Sequence, residues 1–248
     1  MKSTRKLIPA LVMLLVSAVM LSTASFAWLA SSTEVKAGPM TVKANTDVVY
    51  MEISNDQTQW GNTANATNAT ADNLKLVTAT VEPASKVITW KTAAGAAPGA
   101  SAADAETYQT VNPITADYAL INTFYVRMSD KSTTDLENLK ISAVTINGTT
   151  IDAETFDESL RVLVVATDDA DSVLGYQCWD LGTDALSTAG GFTSTDTTLA
   201  SKVDKSTITL NVYIYYDGED TYAFTNNLAS AVQREITVSF SATVPSGS

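Results

Sequence analysis

The chain has 248 residues, and 27 acidic against 15 basic side chains give it a formal charge of −12. It contains one cysteine and no histidine. Without histidine there is neither a Ser-His-Asp triad nor an imidazole ligand for zinc. Nucleic-acid binding needs clustered Lys and Arg, so the acidic balance argues against such a partner. Composition therefore favours a non-catalytic protein, and we expect no enzymatic activity.

The N-terminus has the features of a secretory signal peptide. Basic residues within positions 1–6 precede an apolar run at 7–20, and small residues follow it. We predict cleavage after Ala27 by signal peptidase, secretion to the cell surface or beyond, and contact with the membrane only during export. The alternative is an uncleaved anchor helix, because residues 7–30 carry no charge and are long enough to cross a bilayer. Cleavage would remove three bases and no acids, which takes the charge from −12 to −15.

Alternation of apolar and polar side chains dominates the rest of the chain and predicts eight or nine strands. The candidates are residues 40–44, 48–53, 74–81, 86–90, 120–128, 139–146, 161–167, 208–216 and 236–244. Asn122 is a polar exception on the apolar side of its strand. One-sided alternation indicates antiparallel sheets packed as a sandwich, and irregular spacing favours a jelly roll. The predicted fold is all-β: an antiparallel, jelly-roll-like β-sandwich with one or two short helices.

Helix and loop signals complete the domain organisation. Asp152 is a possible cap for a helix at 152–160, and residues 134–139 are predicted to form one helical turn. Small and polar residues predict three surface loops, at 62–70, 91–106 and 183–198. The loops at 62–70 and 91–106 lack the apolar side chains needed for a core face. We predict a signal peptide at 1–27, an N-terminal segment at 28–39 and one β-sandwich domain at 40–248.

The single cysteine and three tryptophans are predicted to be structural. No intrachain disulfide is possible for Cys178, so we expect a small buried side chain, with a redox or intermolecular role as the alternative. The tryptophans Trp60, Trp90 and Trp179 lie in different segments and do not indicate a sugar cleft. We expect them to pack in the core or under loops.

Two acidic clusters follow predicted strands, at residues 168–171 and 217–220. Oxygen-rich loops suit Ca²⁺, so Asp217, Glu219 and Asp220 are a candidate calcium site. Their spacing matches no EF-hand, and solvated acids at an Asp-Gly turn are the alternative interpretation. No other cofactor is expected.

Both ends of the chain resemble one protein family. Residues 25–44, SFAWLASSTEVKAGPMTVKA, and residues 234–243, REITVSFSAT, resemble the first and closing strands of the TasA and camelysin-like family. Its members are secreted matrix proteins of Gram-positive bacteria. The turn Asp217-Gly218-Glu219-Asp220 also looks similar to a turn in many secreted proteins of clostridia-like bacteria, whereas the middle of the chain matches only in strand content.

The resemblance implies a jelly-roll subunit of an extracellular fibre or biofilm matrix, assembled by donor-strand exchange. In that mechanism the N-terminal segment of one copy completes a sheet of the next and produces a head-to-tail homopolymer. Here the donor would be residues 28–37, with Trp28, Leu29 and Val35 as anchors. The alternative for this segment is pairing within its own sheet.

A second function from a different class is kept open: a monomeric secreted adhesive or ligand-binding β-sandwich that uses the acidic loops, with or without calcium. A hydrolase built on carboxylates comes third, because a catalytic pair is defined by its separation in space. Some camelysin-like relatives are described as metalloproteases, but a chain without histidine does not inherit that activity.

Overall fold

The computed structural model describes residues 41–45, 51–68, 74–92, 109–146, 156–192, 198–223 and 235–245. All of them belong to one compact unit, residues 37–248. Within these ranges, no helix has the length and apolar character to cross a bilayer.

Fourteen strands occur in the described part of the chain. Numbered along the sequence, they are β1 Thr41–Asn45, β2 Met51–Ser54, β3 Thr63–Asn65, β4 Val77–Glu82, β5 Val87–Thr92, β6 Gln109–Val111, β7 Leu120–Met128, β8 Leu136–Ile146, β9 Leu160–Thr167, β10 Val173–Asp180, β11 Ala185–Leu186, β12 Ala200–Val203, β13 Ile208–Tyr216 and β14 Ile236–Thr243. The helical elements in the described part of the chain are two short 3₁₀ segments, Phe156–Ser159 and Ala189–Gly191.

The strands form three sheets. Sheet A has the order β12-β8-β14-β1-β3, sheet B the order β11-β10-β9-β13-β7-β2, and sheet C the order β4-β5-β6. Among the described strand pairs all are antiparallel except β1 and β14, which run parallel. The predicted fold class, an all-β antiparallel sandwich, is confirmed.

Strand β9 of sheet B is buried on both faces, which the alternation pattern did not predict. On β9 every residue is buried. Val162 and Val164 belong to the core shared with sheet A, whereas Leu163 and Val165 belong to a second core shared with sheet C. A strand covered on both sides reads as a continuous apolar run, and residues 162–166 are such a run. Sheet C is therefore a third layer added to the predicted sandwich.

The predicted helical turn at 134–139 is wrong, because residues from Leu136 onward form β8. Leu136 and Leu139 are both buried although they are three positions apart. Asn138 between them has φ of +59°, and the pairing of β8 with β14 shifts register nearby. A bulge places two residues opposite one, so it produces a helix-like spacing within a strand.

Two predicted loops also contain core residues. The stretch 62–70 includes β3, where Ala64 is buried, and 183–198 includes β11 and the buried Phe192. The ring of Phe192 meets that of Tyr176 edge to face, with centroids 5.9 Å apart. The prediction that 62–70 has no core face is therefore wrong. The predicted helix at 152–160 is reduced to the 3₁₀ segment Phe156–Ser159 in its described part, and residues 152–155 lie outside the described residues.

The polar exception on β7 holds a neighbouring segment in place. Asn122 is buried beside Phe124, and its Oδ1 accepts a hydrogen bond of 2.8 Å from the backbone N–H of Asn68. The side-chain Nδ2 of Asn122 donates to the backbone carbonyl of Asn68 at 3.0 Å, and the side-chain Nδ2 of Asn68 donates to the backbone carbonyl of Ile121 at 2.7 Å. These bonds occupy part of the β7 edge that extends beyond β2.

Candidate functional site

Among the described residues, four charged side chains meet near the ends of β9, β10 and β13, on the side of sheet B that faces sheet C. At their centre is Arg161, whose side chain is 8% exposed. Its guanidinium lies 3.0 Å from Asp180 through Nη1, 3.8 Å from Asp217 through Nε and 2.6 Å from Asp220 through Nη2. Nη1 also donates to the carbonyl of Glu158 at 2.6 Å. We call Arg161 and these three aspartates the Arg161 cluster.

Two of the carboxylates are oriented by turns that they help to form. Asp180 Oδ1 accepts a hydrogen bond from the Gly182 backbone N–H at 2.9 Å, and Asp220 Oδ1 accepts one from the Tyr222 backbone N–H at 2.9 Å. Short-range bonds of this kind are typical of aspartate in turns. Each carboxylate thereby has one oxygen fixed by its own turn.

Asp217 joins sheet B to sheet C. Its Oδ1 accepts hydrogen bonds from Thr78 Oγ1 of β4 at 2.8 Å and from the Glu219 backbone N–H at 3.2 Å. The backbone N–H of Gly218 donates to the carbonyl of Val77 at 3.3 Å, which continues the contact along β4. The turn after β13 therefore anchors the third layer.

Burial and charge act in opposite directions on the cluster. Desolvation raises the pKa of Asp217 above its ordinary value of 3.8, and the nearby Arg161 only partly offsets that effect. Desolvation also lowers the pKa of Arg161, but the charges of Asp180, Asp217 and Asp220 outweigh it and leave that pKa raised. The cluster contains three acids against one base, so its negative charge is only partly compensated within the cluster.

Cys178 lies next to the cluster and is buried, as predicted. Burial raises the pKa of its thiol to about 12, and its Sγ lies 3.7 Å from Tyr215 Oη. Because the thiolate is the nucleophile, a thiol with this pKa is inert near neutral pH.

A small cavity adjoins the cluster between sheets B and C. It measures about 10 Å³ and is lined by Thr78, Arg161, Cys178, Tyr215 and Glu219, among others. That volume holds about one water molecule.

The candidate calcium residues are placed differently from one another. Asp217 and Asp220 face the guanidinium of Arg161, and Asp217 and Glu219 line the cavity. Among the described residues, no group of three or more Asp, Glu, Cys or His side chains is arranged to hold a metal ion. Calcium binding remains a prediction, and the structure shows an arginine where a cation was expected.

The second acidic loop also uses a carboxylate within its own turn. Asp168 Oδ1 accepts hydrogen bonds of 2.9 Å from the backbone N–H groups of Ala170 and Ser172. Asp168, the acidic residue that follows β9 directly, therefore stabilises the turn after that strand.

The tryptophans pack as predicted. Trp90 is buried against Tyr215, with ring centroids 5.1 Å apart, and Trp179 packs at the edge of the core between sheets A and B. The guanidinium of Arg127 lies over the ring of Trp60, with Cζ of Arg127 4.1 Å from the ring centroid. The predicted cleavage site Ala27 and the assembly residues Trp28, Leu29 and Val35 lie outside the described residues.

Sequence reasoning missed Arg161 and Asp180. The available signal was a single basic residue inside the otherwise apolar strand LRVLVVAT. A buried arginine requires carboxylate partners, but nothing in the local sequence says which acids supply them.

In comparisons with known proteins, no family model, no curated protein and no solved structure matches the chain.

Substitutions at two of the aspartates should separate their contributions. Asp220→Asn should lower the free energy of unfolding by about 1.5–3 kcal/mol, because it weakens a 2.6 Å charge-assisted hydrogen bond to Arg161. Asp217→Asn should cost less than about 1 kcal/mol at pH 7, because the carboxylate it replaces is partly destabilised by burial. Urea unfolding of both variants beside the wild type measures the difference.

The pH dependence of the Asp217→Asn variant provides a second measurement. A carboxyl whose pKa is raised by folding favours the folded state below its ordinary pKa of 3.8 and loses that contribution as pH rises through the folded-state value. The stability of the variant relative to wild type should therefore increase between pH 3.5 and pH 7. A relative stability that falls over this range would contradict the assigned direction.

Proposed function

We propose that the protein is a secreted, non-enzymatic structural subunit that assembles head to tail into an extracellular fibre by strand exchange. One observation carries the proposal: β1, the first described strand, lies inside sheet A between β14 and β3 and has no hairpin to either neighbour. The candidate donor, residues 28–37, is separated from this strand by residues 38–40 in the sequence. A strand that is joined to neither neighbour by a hairpin is suited to exchange between copies.

The use of polar groups inside the fold supports a structural role. The Arg161 cluster ties β9, β10 and the turn after β13 together. Gln177 of β10 accepts a 2.7 Å hydrogen bond from the backbone N–H of Ile141, which links sheets A and B. Asn122 holds the segment at Asn68. These buried groups stabilise contacts between layers.

The acid excess is consistent with a soluble building block. Removal of the signal peptide would leave a charge of −15 on a chain with 34 threonines. Mutual repulsion between such subunits limits random pairing of strand edges. Assembly then needs a specific contact, for which the N-terminal arm is proposed. The proposed partners are further copies of the chain, with signal peptidase during export and no cofactor.

Deletion of residues 28–37 from the mature protein, residues 28–248, tests the proposal. The deletion should abolish filaments seen by negative-stain microscopy, because the exchanged arm is lost. It should still unfold in one cooperative transition, because the described core lies outside the deleted segment. The matched control removes residues 246–248 from the other end and should form filaments as the mature protein does. Filaments of normal length in the 28–37 deletion would refute the donor assignment.

A further inference from the structure

Sheet C is built from one stretch of sequence. Its strands β4, β5 and β6 all come from residues 77–111, whereas sheets A and B each draw strands from both sides of this stretch. Within sheet C, β4 pairs with β5 and β5 pairs with β6. Separation of sheet C from sheet B would therefore leave the strand ladders of both larger sheets intact.

The two ends of that stretch are tied to each other. The backbone N–H of Lys75 donates to the carbonyl of Asp117 at 2.8 Å, and their side chains form an ion pair at 3.2 Å. The ammonium of Lys75 also lies 5.4 Å from the centroid of the Tyr118 ring. Because its base is closed in this way, the stretch between them can move as one unit. Contiguous units of this kind are the ones that open cooperatively in native proteins.

The core beneath sheet C is small. Among the described residues, 11 are buried in it, against 25 in the core between sheets A and B. Sheet C contributes four of the 11, namely Val77, Ala79, Val81 and Trp90. Hydrophobic stabilisation is roughly proportional to the apolar area removed from water. Sheet C should therefore separate from sheet B at a lower free energy than the whole domain unfolds.

A polar joint holds β4 against the end of β13. Thr78 is buried, and its Oγ1 donates to Asp217 Oδ1 at 2.8 Å. Beside it, Val77 and Asp217 form an isolated parallel bridge, in which the Gly218 backbone N–H donates to the Val77 carbonyl at 3.3 Å. The Asp217 carboxylate is buried in the Arg161 cluster, where three acids face one base. Hydration of this carboxylate on opening would offset part of the free energy lost with the joint.

The single thiol of the chain lies under sheet C. Cys178 is buried in the core between sheets B and C and lines the cavity beside Thr78. Burial raises the pKa of its thiol from 9.0 to about 12, which makes it unreactive. Removal of the cover would return water to the thiol, and its pKa would fall towards the ordinary value.

We infer that sheet C opens from sheet B as one unit and thereby controls access to Cys178. Sheets A and B stay folded in the open form. The apolar face of sheet B that carries Leu163, Val165 and Tyr215 is uncovered together with the thiol. The fold thus contains a conformational device that changes an inert cysteine into a reactive one. No second copy of the chain is needed, so the device is independent of the proposed fibre.

Chemical labelling of the native thiol in the mature protein tests the inference. The thiolate of Cys178 attacks an aromatic disulfide reagent, forms a mixed disulfide and releases one coloured aromatic thiolate. When closing is faster than this reaction, the labelling rate reports the population of the open form. The rate should depend on urea less steeply than global unfolding does, because opening exposes less surface.

Hydrogen exchange followed by mass spectrometry shows which part of the chain opens. The backbone amides of β4 and β5 should exchange at a common rate, and faster than those of β8 and β14. Their exchange should show the same weak urea dependence as the labelling of Cys178, because one opening exposes both.

Two substitutions on β4 separate the joint from sheet C itself. Thr78→Val removes the hydrogen bond to Asp217 and should raise the labelling rate of Cys178 by about tenfold or more. Thr80→Val is the matched control, because the Thr80 hydroxyl bonds within sheet C, to the Thr89 carbonyl at 3.4 Å. Such a long bond is weak, so Thr80→Val should change the rate by no more than about twofold.

A thiol in the other core provides the reference for global unfolding. In the double variant Cys178→Ala, Val238→Cys, the thiol lies on β14 in the core between sheets A and B, where Val238 is fully buried. It should be labelled only through global unfolding. Its labelling should therefore be at least about tenfold slower than that of Cys178 and should show the full urea dependence.

Two results would overturn the inference. Equal rates and equal urea dependences for the two thiols would mean that both are exposed only by global unfolding. Fast labelling of Cys178 while β4 and β5 keep the same amide protection as β8 and β14 would mean that another segment over the thiol moves. If the double variant does not fold, the urea dependence of wild-type labelling is compared with that of wild-type global unfolding, and equal values would overturn the inference.

Discussion

Replacing Arg161 by Met should lower the free energy of unfolding by about 3–5 kcal/mol, because removing one partner of a buried ion pair leaves uncompensated charge. Here three carboxylates, at 3.0, 3.8 and 2.6 Å from the guanidinium, would lose their common counter-charge. The loss should be visible in urea unfolding as a lower midpoint with an unchanged slope.

Arg127→Met is the matched control. Arg127 also pairs with two acids, Glu52 at 3.4 Å and Asp130 at 3.6 Å, but its side chain is 24% exposed. Ion pairs nearer the solvent contribute up to about 1 kcal/mol, and the contact with Trp60 adds an amount of similar size. Equal losses in the two variants would mean that the buried cluster contributes no more than an ordinary surface pair.

Combining Arg161→Met with Asp217→Asn and Asp220→Asn keeps the test informative if the single variant does not fold. Removing two of the three buried negative charges should recover part of the lost stability, because these charges are what the missing guanidinium leaves unpaired. A triple variant less stable than Arg161→Met alone would contradict the charge argument.

The second large effect is expected at Gly191. Gly191 has φ of +85°, and a Cβ there would overlap the backbone carbonyl oxygen of Val81 on β4. Gly191→Ala should therefore cost at least about 2 kcal/mol, from the left-handed backbone and from displacement of the segment against sheet C.

Gly61→Ala provides the comparison for Gly191→Ala in thermal unfolding. A Cβ at Gly61 would meet its nearest backbone atom, the Thr63 carbonyl oxygen, at 3.7 Å, which is ordinary van der Waals contact. Its melting temperature should stay close to that of the wild type. If Gly191→Ala had the same melting temperature as Gly61→Ala, residues 189–191 would not pack tightly against β4.

Strong alternation made part of the fold predictable. Strands β7 and β13 have the predicted bounds, because each has one apolar and one mixed face over nine residues. Strand β10 was not predicted: Tyr176, Gln177 and Cys178 are consecutive and all buried, so its two faces do not differ. Local pattern cannot show that a third sheet covers sheet B, because the covering strands come from residues 77–111.

The candidate site was predictable only in part. The acids after β13 are recognisable in the sequence because they follow a strand at an Asp-Gly turn. Their partner Arg161 is 59 residues away from Asp220 in sequence, and the adjacent strands of sheet B bring them together. A carboxylate cluster and the arginine that neutralises it are both visible in a sequence, but their pairing depends on strand order.

Negative-stain microscopy of purified mature protein, residues 28–248, over a range of concentrations tests the fibre proposal most directly. The proposed strand exchange predicts unbranched filaments whose number rises with protein concentration. Folded monomers at the highest concentration, together with binding to a glycan surface or to calcium, would contradict it and favour the monomeric adhesive β-sandwich.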